Sequence, residues 1–121
     1  MQLSIQNLEH IAIQVADVEK SKEFYTKVLG LVLLPRPDFD FAGAWFALGS
    51  FQQLHLIGNR TEPVIAGSRS NHFALKVSDL DAFETHFKEN GINFKPKKQR
   101  PDGIWQVFLT DPDGHCIELN A

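Results

Sequence analysis

A repeated strand-like segment is the feature that most limits how this chain can fold. NLEHIAIQV, near the start of the sequence, is followed later by the similar SNHFALKV. An offset of 62 residues (from 10 to 72) places His10 on His72 and Asp17 on Asp79. Each copy is about 50 residues long, which is short for a stable domain, so we expect the copies to fold together.

Both copies predict the same order of elements, namely a strand, a helix and three more strands. Helix N-caps are expected at Asp17 and Asp79, and glycines follow the two helices. The pattern predicts the following ranges: strands 8–15, 31–34, 43–48 and 51–57 with helix 17–29, then strands 70–77, 92–94, 103–110 and 115–120 with helix 79–90. The fold class is therefore α+β, with two βαβββ modules, 7–58 and 70–120, joined by linker 59–69 in a single domain, 1–121.

Side-chain alternation places residues of metal-binding type on one face of four strands. Neighbouring residues in a strand point to opposite faces, and in each of these strands the alternate residues on one face (one parity) are apolar. The residues on the opposite face (the other parity) include one residue of ligand type per strand, namely His10, His55, His72 and Glu118. A lone strand histidine is more often structural, but repetition at equivalent positions favours a metal. If the faces converge, three imidazoles and a carboxylate suit a first-row divalent ion and leave positions for water or substrate.

Composition and charge exclude several other classes of function. The net charge of -3 does not indicate a positively charged surface for nucleic acid. The basic run 95–100 is expected to be a solvated loop that could attract anionic substrates. The single cysteine, Cys116, fits a reducing compartment, and we expect a cytoplasmic protein without signal peptide, membrane span or membrane partner. His86 and His115 are expected to be surface residues.

Three segments carry a resemblance to a known family: LEHIAIQVADVEKSKEFYTKVLGL, NHFALKVSDLDAFETHF and LTDPDGHCIEL. At these segments the sequence resembles the vicinal oxygen chelate superfamily, also called the glyoxalase/bleomycin-resistance/dioxygenase family, over nearly the whole chain. The resemblance implies two βαβββ modules whose sheets curl around a cavity with a divalent metal. It places the ligands on the first and last strands of each module, at His10, His55, His72 and Glu118.

One of these positions departs from the family pattern. Proteins resembling glyoxalase I usually have a glutamate where this chain has His55, and related epimerases often have a glutamine. Ring-cleaving dioxygenases and fosfomycin-modifying members use two histidines and one glutamate, which match His10, His72 and Glu118. In that case His55 would support the ligands without binding the metal.

The resemblance favours a glyoxalase I-like lyase or isomerase that stabilises an enolate by bidentate chelation. Glu118 or a metal-bound hydroxide would move the proton, and the ion could be Zn, Ni, Co, Mn or Fe. One alternative is an extradiol-type Fe(II) ring-cleavage dioxygenase. Another is a non-catalytic small-molecule protein that sequesters drugs, although such members usually lack the ligands.

Residues near these ligands are candidates for contact with a small-molecule substrate. Strand parity suggests Gln53, Gln106 and Phe108, and sequence proximity suggests Trp45. Aromatic residues of this kind are more often core than substrate platform. Small members of the family are usually homodimers, and each site can be built from modules of two chains.

Overall fold

The protein is described by a computed structural model that covers residues 1–65 and 70–121. Clustering of contacts divides the chain into two compact units, Met1–Thr61 and Glu62–Ala121. Part of the expected linker, residues 66–69, lies outside the described residues. Each unit is a four-stranded sheet with one helix.

The first unit has the predicted βαβββ order. Its sheet order is β1-β4-β3-β2, in which β1 runs parallel to β4 and the other neighbours are antiparallel. The elements are β1 (His10–Gln14), α1 (Val18–Lys27), β2 (Leu33–Leu34), β3 (Gly43–Leu48) and β4 (Gln52–Ile57).

The second unit repeats this topology. Its sheet order is β5-β8-β7-β6, again with one parallel pair, β5 and β8, and two antiparallel pairs. The elements are β5 (His72–Lys76), α2 (Leu80–Glu89), β6 (Lys95–Gln99), β7 (Trp105–Thr110) and β8 (Cys116–Asn120). The predicted α+β class with two βαβββ modules is therefore confirmed.

The two helices begin and end where the sequence signals lie. The Asp17 side chain accepts a hydrogen bond from the backbone N–H of Lys20 at 3.2 Å, and Asp79 accepts one from Ala82 at 3.0 Å. Such caps satisfy backbone donors that have no partner inside the helix. Gly30 and Gly91 follow the helices with φ of 68° and 66°, a conformation that glycine adopts without steric cost.

The apolar parity of the strands forms the core of each unit. In β4, Leu54 and Leu56 are almost fully buried, as are Ile117 and Leu119 in β8. Aromatic side chains complete the core, with Tyr25 from α1 buried in the first unit. The opposite parity of these strands is therefore available for other roles.

The basic run at 95–100 is the main error of the sequence prediction. A strand was expected at 92–94, ending near Pro96, with a solvated loop after it. The structure instead forms β6 over Lys95–Gln99, with an irregular register between Lys95 and Lys98. Among the strands of residues 1–65 and 70–121, β7 is the only one that pairs with β6. An edge strand tolerates proline because one side of its backbone needs no partner.

The described helices are too short or too polar to cross a membrane. The expected homodimer and the cytoplasmic location stay predictions.

Candidate metal and substrate site

In both units, the sheet register places a candidate site at an equivalent position. It lies on the face of the sheet opposite to the residues that pack against the helix. In the first unit, His55 of β4 lies between Ala12 of β1 and Trp45 of β3. In the second, Glu118 of β8 lies between Ala74 of β5 and Phe108 of β7.

Each site thus places a ligand-type residue between an alanine and an aromatic residue. The small alanine leaves space on one side, and the aromatic ring forms a wall on the other. Cross-strand neighbours in a sheet share a face, so this arrangement follows directly from the register.

His72 and Glu118 lie together in the second unit. Nε2 of His72 is 3.3 Å from Oε1 of Glu118, and the amide nitrogen of Asn120 donates a hydrogen bond to Oε2 at 2.8 Å. Glu118 is only 3% exposed. A buried carboxylate requires positive charge or hydrogen-bond donors nearby, and Asn120 supplies one donor.

The separation of His72 and Glu118 fits two donors on one metal ion. Ligand atoms about 2.0–2.2 Å from an ion lie about 2.9 Å apart at a right angle and about 3.4 Å apart at a tetrahedral angle. The observed 3.3 Å falls in this interval. Imidazole nitrogen with carboxylate oxygen also suits first-row divalent ions.

In the first unit, the corresponding cluster consists of Glu9, His10 and His55. Their ligand atoms lie within 4.8 Å of one another, so the described residues include a possible metal site here. Nδ1 of His10 is 2.8 Å from Oε1 of Glu9, a contact that can fix the imidazole orientation. The two imidazoles are stacked, with centroids 4.0 Å apart and planes 16° apart. The lone pair of an imidazole nitrogen lies in the plane of its ring, and the two ring planes are nearly parallel. One ring must therefore rotate before nitrogens of both rings could bind the same ion.

His55 is held more firmly than His10. Its ring stacks on Trp45, with centroids 4.2 Å apart and planes 5° apart, and its Nε2 is 2.8 Å from Oε1 of Gln53. The pKa of His55 is lowered, chiefly by burial and then by His10, with Glu9 acting in the opposite direction. The neutral imidazole is therefore favoured, and this is the form that binds metals.

The four predicted substrate-contact residues have definite positions. Trp45 and Gln53 contact His55, whereas Phe108 meets His72 edge to face at a centroid distance of 5.7 Å. Gln106 pairs with Asn120 across the sheet and so shares the face of Glu118.

No role was predicted for Glu9 or for the amide of Asn120. In the predicted strand 8–15, alternation gives Glu9 the apolar face of Ile11 and Val15, but β1 begins only at His10, so this alternation does not apply to Glu9. Asn120 shares its parity with Glu118, and that signal could have identified it. Of the remaining histidines, His86 lies on α2 and His115 directly before β8.

The family model for the Glyoxalase/Bleomycin resistance protein/Dioxygenase superfamily matches residues 7–119. The chain is 31% identical to lactoylglutathione lyase of Escherichia coli, covering 93% of this chain and 90% of that protein. It is also 31% identical to metallothiol transferase FosB of Staphylococcus haemolyticus, covering 97% of this chain and 84% of that protein.

Solved structures show the same architecture. A glyoxalase family protein from Bacillus anthracis superposes with a TM-score of 0.83 at 26% identity, covering 99% of this chain and 98% of that one. TnmS3, an antibiotic binding protein from Streptomyces, superposes with a TM-score of 0.80 at 26% identity, covering 98% of both chains.

Proposed function

The chain belongs to the Glyoxalase/Bleomycin resistance protein/Dioxygenase superfamily, and we propose that it is a divalent-metal-dependent lyase or isomerase of the glyoxalase I type. The observation that carries the proposal is the pairing of His72 with the buried carboxylate of Glu118 at 3.3 Å. The 31% identity to lactoylglutathione lyase supports this class of reaction.

We assign the metal ligands as His10 and His55 in the first unit and His72 and Glu118 in the second. A divalent ion at such ligands supplies Lewis-acid stabilisation where negative charge develops on a substrate oxygen. His10 is oriented by Glu9, and His55 is oriented by Gln53 and Trp45. These contacts hold the two imidazoles next to each other, and one of the stacked rings must rotate before both can bind the same ion.

Glu118 is the catalytic residue in this proposal. Its Oε2 is fixed by Asn120, so its Oε1 points to the side where His72 lies. A carboxylate held in this way can accept a proton from a carbon next to a carbonyl group and return it to the neighbouring carbon. Phe108 lies directly across the sheet from Glu118 and limits the access of water on that side.

The test is an assay with the hemithioacetal of methylglyoxal and a thiol under nitrogen, with Ni²⁺, Co²⁺, Mn²⁺ or Zn²⁺ added separately. We expect turnover with at least one ion and a loss of about 100-fold or more in Glu118→Gln, because general acid–base catalysis contributes that much. His86→Ala, on α2, is the matched control and should retain activity. Turnover that requires oxygen and Fe(II) with a catechol would overturn the proposal in favour of a dioxygenase.

A second candidate is a binding protein for planar aromatic molecules. The Arg36 guanidinium carbon lies 4.9 Å from the ring centroids of both Phe39 and Phe41, which are stacked on each other. Phe39 also contacts Trp45 at 6.0 Å, so an aromatic surface leads towards His55. The resemblance to the antibiotic binding protein supports this candidate. Ligand binding that is unchanged by chelators and by Glu118→Gln, without turnover, would favour it over the enzyme.

A further inference from the structure

The irregular register of β6 places two lysines on the same side of the sheet. Lys95 pairs with Phe108, and Lys98 pairs with Gln106. The lysines are three positions apart, whereas their partners on β7 are two positions apart. The extra residue in β6 is a bulge. Because of it, the side chains of both lysines point to the same side of the sheet as those of their cross-strand partners.

This side of the sheet is the one that carries the proposed metal ligands. Phe108 lies across from Glu118, and Gln106 lies across from Asn120. Phe108 also contacts the ring of His72. The two lysines therefore extend the surface that holds His72 and Glu118.

The residues that line a cavity of about 500 Å³ all belong to the second unit, and one of them is Phe108, which contacts His72. Lys95 lines the cavity together with Phe108, Thr110 and the buried Cys116. Because Lys95 lines the cavity, its ammonium charge is available to a ligand bound there, and the buried Cys116 forms part of an apolar wall.

Lys95 and Lys98 differ from the other two basic residues of their run. Lys97 forms an ion pair with Asp81 at 2.6 Å, and Arg100 forms one with Asp102 at 2.7 Å. Within residues 1–65 and 70–121, neither Lys95 nor Lys98 has an ion pair or a side-chain hydrogen bond, and of these two Lys95 lines the cavity. Its ammonium group is therefore free to pair with a ligand.

We propose that Lys95 determines substrate specificity by binding an anionic group of the substrate, either a carboxylate or a phosphate. The inference rests on the proposed function, because the reacting atoms of the same molecule would face His72 and Glu118. Phe108 would pack against the apolar part that connects the two ends. Thr110, which also lines the cavity, offers a hydroxyl that can donate to the same anion.

The test uses the chain of residues 1–121 without metal, so it does not depend on metal binding or turnover. Sodium phosphate and sodium acetate are titrated separately at fixed ionic strength, with acetamide as the neutral analogue, and amide signals are followed by NMR. We expect at least one anion to give saturable shifts at residues that line the cavity, and acetamide to give none. Binding of phosphate only would identify the substrate group as a phosphoryl group, and binding of acetate only would identify it as a carboxylate. Binding of both would show that the site accepts either anion.

Variants of the chain distinguish specific anion binding at Lys95 from non-specific electrostatic attraction of anions. Lys95→Gln should weaken anion binding roughly fivefold to tenfold, because a charge-assisted contact is lost. Lys95→Arg should retain binding. Lys97→Gln is the matched control on the same strand and should bind like the wild type. Equal affinity in Lys95→Gln, an equal loss in Lys97→Gln, or the absence of shifts with both anions would overturn the proposal.

Discussion

The imidazole of His55 stacks on the indole of Trp45, with ring centroids 4.2 Å apart and planes only 5° apart. His10 covers the opposite side of the same imidazole at 4.0 Å. The three rings form a stack in which water is kept from both faces of His55. This is the physical basis of the lowered pKa of His55, since burial disfavours the charged form and the neighbouring imidazole acts in the same direction.

Replacement of Trp45 should therefore change the titration of His55. In Trp45→Leu we expect the His55 pKa to rise towards its ordinary value of 6.5, because water reaches one face of the ring. The measurement is an NMR titration of the histidine ring protons. Loss of the aromatic stack should also lower the free energy of unfolding by about 1 kcal/mol.

Trp105→Leu provides the control for this titration. Trp105 is 40% exposed and belongs to the second unit. Its removal should leave the His55 titration unchanged. A similar shift in both variants, or none in Trp45→Leu, would mean that the stack does not control His55.

The hydrogen bond from Asn120 to Glu118 gives a second prediction. Asn120→Ala removes the donor that holds Oε2 of the carboxylate, so Glu118 should lose its fixed orientation. We expect divalent metal affinity to fall about tenfold, as is typical when the group that orients a ligand is removed. Isothermal titration calorimetry measures this change. Asn90→Ala, at the end of α2, should show no change in affinity.

Strand parity explains why so much could be predicted from the sequence. Alternation in β4 and β8 assigns Leu54 and Ile117 to the core, and the opposite assignment of His55 and Glu118 follows from it. The internal repeat then gave the topology, since equivalent segments must form equivalent elements. These properties depend only on local backbone geometry.

Properties that depend on tertiary contacts were not predictable in this way. The stack of His10, His55 and Trp45 depends on side-chain rotamers across three strands, which alternation does not specify. The course of β6 depends on its pairing with β7, which outweighed the local effect of Pro96. The direction of Lys95 could be inferred only after this register was known.

The pKa of Asp102 gives a prediction about pH. A hydrogen bond from the Arg100 side chain is the main cause that lowers the pKa of this carboxyl from 3.8 to about 2. Because the folded state has the lower pKa, the stabilising contribution is present above pH 3.8 and is lost as the pH falls through about 2. In Arg100→Gln the Asp102 pKa should return towards 3.8, as measured by NMR of the side-chain carboxyl carbon. An unchanged pKa would contradict this account.

The core of the first unit gives a prediction about stability. Leu56 of β4 is 1% exposed, whereas Phe51, just before the same strand, is 81% exposed. Leu56→Ala should lower the free energy of unfolding by about 2–5 kcal/mol, because it leaves a cavity in the core. Phe51→Ala should change the free energy of unfolding by less than about 0.5 kcal/mol. Urea denaturation of both variants measures the difference, and equal effects would contradict the described packing.

Metal affinity at two pH values tests the central claim, that His72 and Glu118 hold a divalent ion. Titration of Ni²⁺ or Zn²⁺ into the wild type should show stoichiometric binding above neutral pH. Affinity should fall as the pH is lowered, because metal ligands must be deprotonated to bind. His72→Ala and Glu118→Gln should lose most of this affinity, whereas His86→Ala should retain it. Wild-type affinity in His72→Ala and Glu118→Gln, or an affinity that does not change with pH, would contradict the account.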